Sequence, residues 1–189
     1  FTGAPAETVE GEDVTDLWED LGSRWYMRDQ YVKLYPVCRW AQPAIAAALA
    51  LREAHDIDAA DIAEVRIGTF AASARLDARA PKTTEEAQYS LPFPVACALV
   101  HGRVGVAEIA GAGLADEAVL ALARAIVVDD VAAYTAAFPA ERRSDVTITL
   151  RDGRVLASGP TLAAGDPERP LDDASVAAKF DALATPVLG

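Results

Sequence analysis

The sequence predicts an α+β fold: a partly antiparallel sheet packed with helices, followed by a C-terminal helix. Three observations carry this. In "SDVTITLRDGRVLASG", Val146, Ile148 and Leu150 alternate with polar residues, Asp152-Gly153 has the composition of a two-residue type I′ turn, and Val155 and Ala157 continue the return strand. Apolar residues at helical spacing dominate "AQPAIAAALALREAHDI" and "LADEAVLALARAI". Strands expected near 24–34, 62–70, 125–129, 145–151 and 154–159 do not alternate regularly with helices, which argues against a strictly parallel α/β sheet.

Taken in order, "FTGAPAETVEGEDV" carries no helix or strand signal before about Asp13 and reads as a loop continuing from something upstream. "GEDVTDLWEDLG" places Val14, Leu17, Trp18 and Leu21 at i, i+3, i+4 and i+7, with acids before and Gly22 after, so a short amphipathic helix is expected. "SRWYMRDQYVKLYP" is rich in Trp, Tyr and Val and reads as an extended strand stopped by Pro36. Pro43 fits the first turn of the next helix, whose apolar face is Ala44, Ile45, Ala48, Leu49 and Leu51.

In "DAADIAEVRIGTF", Val65 and Ile67 alternate against Glu64 and Arg66, giving a strand. Residues 71–83 are polar and irregular. Thr83 or Thr84 can cap a following short helix that ends before Leu91, and a buried helix is expected from about Pro94 to Val100. "GVAEIAGAGLADE" has glycines but no phosphate-loop spacing and reads as a loop before a helix. After the hairpin, "GDPERP" is a loop. In the closing helix, Asp172 is the expected N-cap, Leu171 and Val176 a possible hydrophobic staple, and Val176, Phe180 and Leu183 share one face. The expected organisation is a leading loop and short helix over 1–22, an α+β unit over 23–160, and a closing loop and helix over 161–189.

Composition narrows the function. Of 189 residues, 52% are hydrophobic, which is enough for one sizeable core. The net charge of −12 leaves no basic face for nucleic acid or for an anionic membrane surface. No apolar run is long enough to span a bilayer. Cys38, Cys97, His55 and His101 lack the spacing of a zinc site, and the two cysteines read best as reduced thiols of a cytoplasmic protein. No standard nucleophile, dinucleotide or phosphate-loop motif is present. Charge is nonetheless uneven: Arg24, Arg28, Lys33 and Arg39 crowd into sixteen residues that hold one acid, Asp29.

Those cations frame "YVKLYPVCRW", the best candidate for a site. Lys33 lies near the end of an expected strand, Pro36 forces a turn, and Arg39 precedes a helix whose first N–H groups lack intrahelical partners. A cation beside such donors suits a carboxylate. "PKTTEEAQYSLPF" adds Lys82, Gln88 and Ser90 as further donors, with Lys33 the candidate catalytic group and Arg39, Lys82, Gln88 and Ser90 the candidate substrate-binding ones. On spacing alone, all of these read better as surface charges and helix caps, Cys38 as a small core residue, and His55 and His101 as helix C-terminal residues interacting with the dipole.

Four stretches in order, "FTGAP…VEGEDV", "VKLYPVCRWAQPAI", "PKTTEEAQYSLPFPVACALVHGRVG" and "GDPERPLDDASVAAKFDALA", resemble the C-terminal part of the MmgE/PrpD family. That family includes 2-methylcitrate dehydratases, cis-aconitate decarboxylases and iminodisuccinate epimerases. The resemblance implies a lid region that follows a larger helical domain absent from this chain. It also implies a homodimer in full length, catalysis without metal or organic cofactor, and a small di- or tricarboxylate substrate deprotonated next to a carboxylate. Lys33 matches the lysine that the family places before its "YP" or "FP" pair, and Arg39 the arginine of its "CR" pair. Three positions depart from the family pattern. Cys38 stands where the decarboxylase branch carries a histidine, Gln42 where many members have histidine, and Phe93 where many have tyrosine. The expected activity is therefore that of a hydro-lyase on a substrate such as 2-methylcitrate, with this chain inactive alone. The alternatives are an epimerase, isomerase or decarboxylase of the same family, or a non-catalytic binding module.

Overall fold

A computed structural model describes residues 19–189. The expected helix around Val14, Leu17 and Trp18 therefore lies outside the described residues. The sheet is built from β1 (Ile62–Thr69), β2 (Val127–Asp130), β3 (Arg143–Leu150), β4 (Val155–Ala157) and β5 (Thr161–Leu162). The order is β2-β1-β3-β4, with β5 also paired to β3. β1 runs parallel to β2, in a register that pairs Arg66 with Val127. It runs antiparallel to β3, with Ile67 opposite Val146 and an irregularity between Ile62 and Glu64. The fold is thus mixed α+β, as the patterning predicts.

Alternation decides which face is covered. In β3, Ser144, Val146, Ile148 and Leu150 are buried while the residues between them are half-buried. In β1, Val65 and Ile67 point the same way and Glu64 and Arg66 are exposed. A sheet apolar on one face needs a layer over that face. α1 (Gln42–His55) supplies it, packing against β3 and against α4 (Pro92–His101), which packs in turn on α6 (Glu117–Ala125). Eight residues of α4, from Pro92 to Leu99, are buried, so this helix is core on all sides. Fully burying a side chain such as Ile148 or Leu99 contributes roughly 1.5–3 kcal/mol.

Termini follow elementary capping rules. Pro43 stands in the first turn of α1, where its missing N–H costs nothing. Thr83 caps the short helix α3 (Thr84–Gln88) by accepting from Glu86 N–H at 3.2 Å. Asp116 caps α6 by accepting from Ala118 and Val119 N–H. Asp172 caps α8 (Asp173–Leu188) by accepting from Ser175 N–H at 2.8 Å.

The structure differs from the sequence-based expectation at several places. The stretch 24–34 is no strand: Tyr26–Asp29 forms a 3-10 turn. One link to the body is Val32 N–H to Gly165 O at 2.8 Å. Aromatic and β-branched residues make a strand only where a neighbour offers a ladder. The hairpin loop has three residues, Arg151–Gly153, closed by Gly153 N–H to Leu150 O and Leu150 N–H to Arg154 O. A type I′ turn needs positive φ at both central residues, but Gly153 has φ 90 while Asp152 does not join it. Asp152 instead accepts from Arg154 N–H.

The buried helix starts at Pro92 rather than Pro94, because both prolines fit within a first turn. The stretch 71–83 opens with one helical turn, α2 (Ala71–Ala74). The glycine-bearing loop contains α5 (Val106–Ile109) and a 3-10 turn at Gly111–Ala115. α7 (Ala132–Ala137) completes the helices.

Candidate functional site

The segment Tyr31–Trp40 lies over the N-terminal end of α1, held from several sides. Gln42, 2% exposed, turns back on the chain before it. Its Nε2 donates to Tyr35 O at 2.8 Å and Val37 O at 3.2 Å, and its Oε1 accepts from Tyr35 N–H at 3.3 Å. One amide thereby satisfies three backbone groups around Pro36, which cannot take part in a ladder. Cys38 N–H donates to Gln88 O at 2.7 Å, which joins "VCRW" to "AQYS". Trp40 extends the bracing through an edge-to-face cluster with Phe70 and Phe138.

Lys33 is half-buried. Among the described residues its ammonium enters no ion pair, and its carbonyl accepts from Lys179 Nζ of α8. Arg39 is arranged differently. It is 5% exposed; Nη1 donates to Ala164 O at 2.9 Å and Nη2 pairs with Asp166. Its guanidinium also lies over the Tyr31 ring, 4.7 Å from the centroid. Arg39 is thus committed to protein groups.

The other candidates separate. Ser90 is fully buried; its hydroxyl donates to Ala78 O at 2.8 Å and accepts from Phe93 N–H at 3.1 Å, which makes it a cap for α4. Gln88 is half-buried beside Cys38. Lys82 is exposed before α3, its backbone N–H bound to Glu86.

A half-open groove of about 470 Å³ lies against this segment, between Leu34 and Pro36, Val104–Val106, and the Ser175–Leu183 side of α8. Its walls are mostly apolar, with Lys179 at one side. Glu108, beside the groove, is 6% exposed. Burial works to raise its carboxyl, but Arg103 Nε at 2.7 Å and Gly105 N–H at 2.8 Å outweigh that and hold it below the usual carboxylate range. Such a carboxylate fixes a loop and is a poor base.

Among the described residues no group of three His, Cys, Asp or Glu side chains could hold a metal ion, and no helix is long and apolar enough to cross a membrane. His101 meets an acid after all: Nε2 lies 3.0 Å from Asp116 Oδ2. The two are fifteen residues apart, and only the packing of α4 on α6 makes them neighbours.

The family model for the MmgE/PrpD C-terminal domain matches residues 35–189, most of the chain. The chain belongs to the MmgE/PrpD family. The match includes Arg39, Lys82, Gln88 and Ser90 and begins two residues after Lys33. This family includes dehydratases. A search of curated proteins gave no match. Within this MmgE/PrpD domain, Gln42, Asp166 and Lys179 are the side chains that sequence reasoning did not assign to the site. The "GDPERP" loop was legible as a motif, but nothing in its spacing says that it closes on Val32 and Arg39.

Proposed function

We propose that this chain is the lid portion of a cofactor-independent hydro-lyase that removes water from a small tricarboxylate such as 2-methylcitrate. The carrying observation is a lysine without an ionic partner among the described residues, on a braced segment that leads directly into a MmgE/PrpD domain. Elimination next to a carboxylate builds negative charge on that carboxylate as the proton leaves. An ammonium held at that oxygen stabilises the developing charge, and in a water-poor cleft the effect is large. Lys33 takes this role, with Gln88 and Lys82 as secondary contacts. Cys38, in place of a histidine, turns the reading away from decarboxylation.

The partner surfaces follow from exposure. On α8, Val176, Phe180, Leu183 and Val187 are 47–81% exposed at helical spacing, and Leu21, Trp25 and Met27 are exposed as well. These faces are where a preceding helical domain would dock, and a homodimer would form in the full-length protein. The proposed setting is the cytoplasm. The base that abstracts the proton, and the acid that protonates the departing hydroxyl so that it leaves as water, would come from that domain, so the chain alone is inactive.

The test is turnover of 2-methylcitrate by the complete gene product. Lys33→Ala should lower kcat/KM by roughly 10²-fold or more, the usual scale for one catalytic group. Wild-type kcat/KM in that variant would refute the assignment. Exchange of substrate hydrogen for deuterium without loss of water would replace the dehydratase with an epimerase.

A further inference from the structure

The backbone on either side of Lys33 is tied to one short loop. Val32 N–H donates to Gly165 O at 2.8 Å. Arg39 Nη1 donates to Ala164 O, and Nη2 pairs with the Asp166 carboxylate. Tyr31 covers the face of the same guanidinium. Lys179 completes the arrangement from α8 at the Lys33 carbonyl. Gly165 permits the close approach: its φ is 99, and a Cβ there would lie 2.0 Å from Val32 O. No L side chain fits that position in that conformation.

We propose that Arg39, Gly165 and Asp166 form a positioning device for Lys33, in which a planar guanidinium clamps the 164–166 loop onto the segment that carries the lysine. This rests on the reading that Lys33 acts on the substrate. A lysine ammonium rides on four rotatable carbons, so its reach to a reacting atom is set by where its backbone is anchored. Arginine suits the anchor and lysine does not. Its fork meets two acceptors at once and its flat face takes an aromatic ring. Misplacement of a catalytic group by about 1 Å costs on the order of 10²-fold in rate. Arg39 therefore acts through Lys33 rather than on the substrate, which accounts for a buried, fully committed arginine six residues beyond it.

The experiment is a double-mutant cycle in the complete gene product, with Asp166→Asn, Arg39→Lys and Gly165→Ala each made in wild-type and Lys33→Ala backgrounds. Turnover of 2-methylcitrate and hydrogen exchange at the Val32 amide are both measured. Each clamp variant should exchange Val32 faster and lose roughly 10- to 100-fold in kcat, with KM changed less than about twofold. In the Lys33→Ala background the clamp variants should add no further loss. Multiplicative losses would show a general effect on the fold and overturn the proposal. So would wild-type turnover in Asp166→Asn when Lys33→Ala is impaired; that result leaves the Lys33 reading standing. Wild-type turnover in Lys33→Ala removes that reading and the positioning role with it. Should the unaltered protein not turn over 2-methylcitrate, unchanged Val32 protection in Asp166→Asn still overturns the clamp. Asp166→Asn is nearly isosteric, so it keeps the test valid if Gly165→Ala fails to fold.

Discussion

Gln42 shows what a single buried amide can do. Its three hydrogen bonds hold the turn at Pro36, and its burial means that water cannot replace them. Gln42→Ala would strand buried backbone groups, each costing about 1–3 kcal/mol. Urea unfolding should show a loss of that order, whereas an exposed substitution such as Lys82→Ala should change stability by less than about 0.5 kcal/mol. The two cysteines make a second test at this scale. Cys97 is fully buried, and burial, with Glu108 and Asp116 nearby, pushes its thiol up to about 12. Cys38 is half-buried. A thiol reagent at pH 8 should modify Cys38 first and reach Cys97 only on unfolding, which peptide mapping will read. In the sequence nothing local marks Gln42 for this role; its work depends on the chain folding back seven residues.

Among the elements, helices were the most legible. Periodicity placed α1, α6 and α8, with Pro43 marking the start of the first and the Asp172 cap that of the last, because these signals are local. Asp116 is the cap with most to lose, since it serves two N–H groups of α6 and also meets His101. Asp116→Ala should cost about 1 kcal/mol, as N-caps do, with Asp116→Asn recovering most of it. The missing strand at 24–34 is the opposite case. Its residues have strand propensity, but the ladder partner is not a local property. β5 went unforeseen for the same reason: two residues, Thr161 and Leu162, pair with Arg143 and Ser144 only because the hairpin brings them back.

At the scale of the whole molecule, acidity sets the pH window. Glu108 and Asp116 are both held below their usual range, by the Arg103 and Gly105 contacts against burial, and chiefly by the Val119 N–H, respectively. A depressed carboxylate stabilises the fold above its unfolded pKa, near 4, and that contribution is lost as pH falls through the lower folded value. Tyr134 and Cys97 act at the other end. Burial, and for Tyr134 the hydrogen bond to Asp145, raises each to about 12, so unfolding releases protons above about pH 9 and stability falls. Thermal denaturation should therefore show a plateau between about pH 5 and 8.5, with both limbs descending. Cys97→Ala should flatten the alkaline limb, and an unchanged limb would remove Cys97 from this account. For the core, Ile148→Ala should cost roughly 2–5 kcal/mol by the same urea measurement.

The sequence by itself determined the α+β class, the buried face of the hairpin, the principal helices and the ordered motifs that mark the family, since periodicity, capping and motif order are written along the chain. Tertiary structure alone decided that Arg39 is committed to Ala164 and Asp166, that Gly165 lies against Val32, and that Ser90 is a cap. Each of those partners is remote in sequence or sits inside a turn, and the energy of a buried guanidinium or hydroxyl depends on which acceptor the fold brings to it.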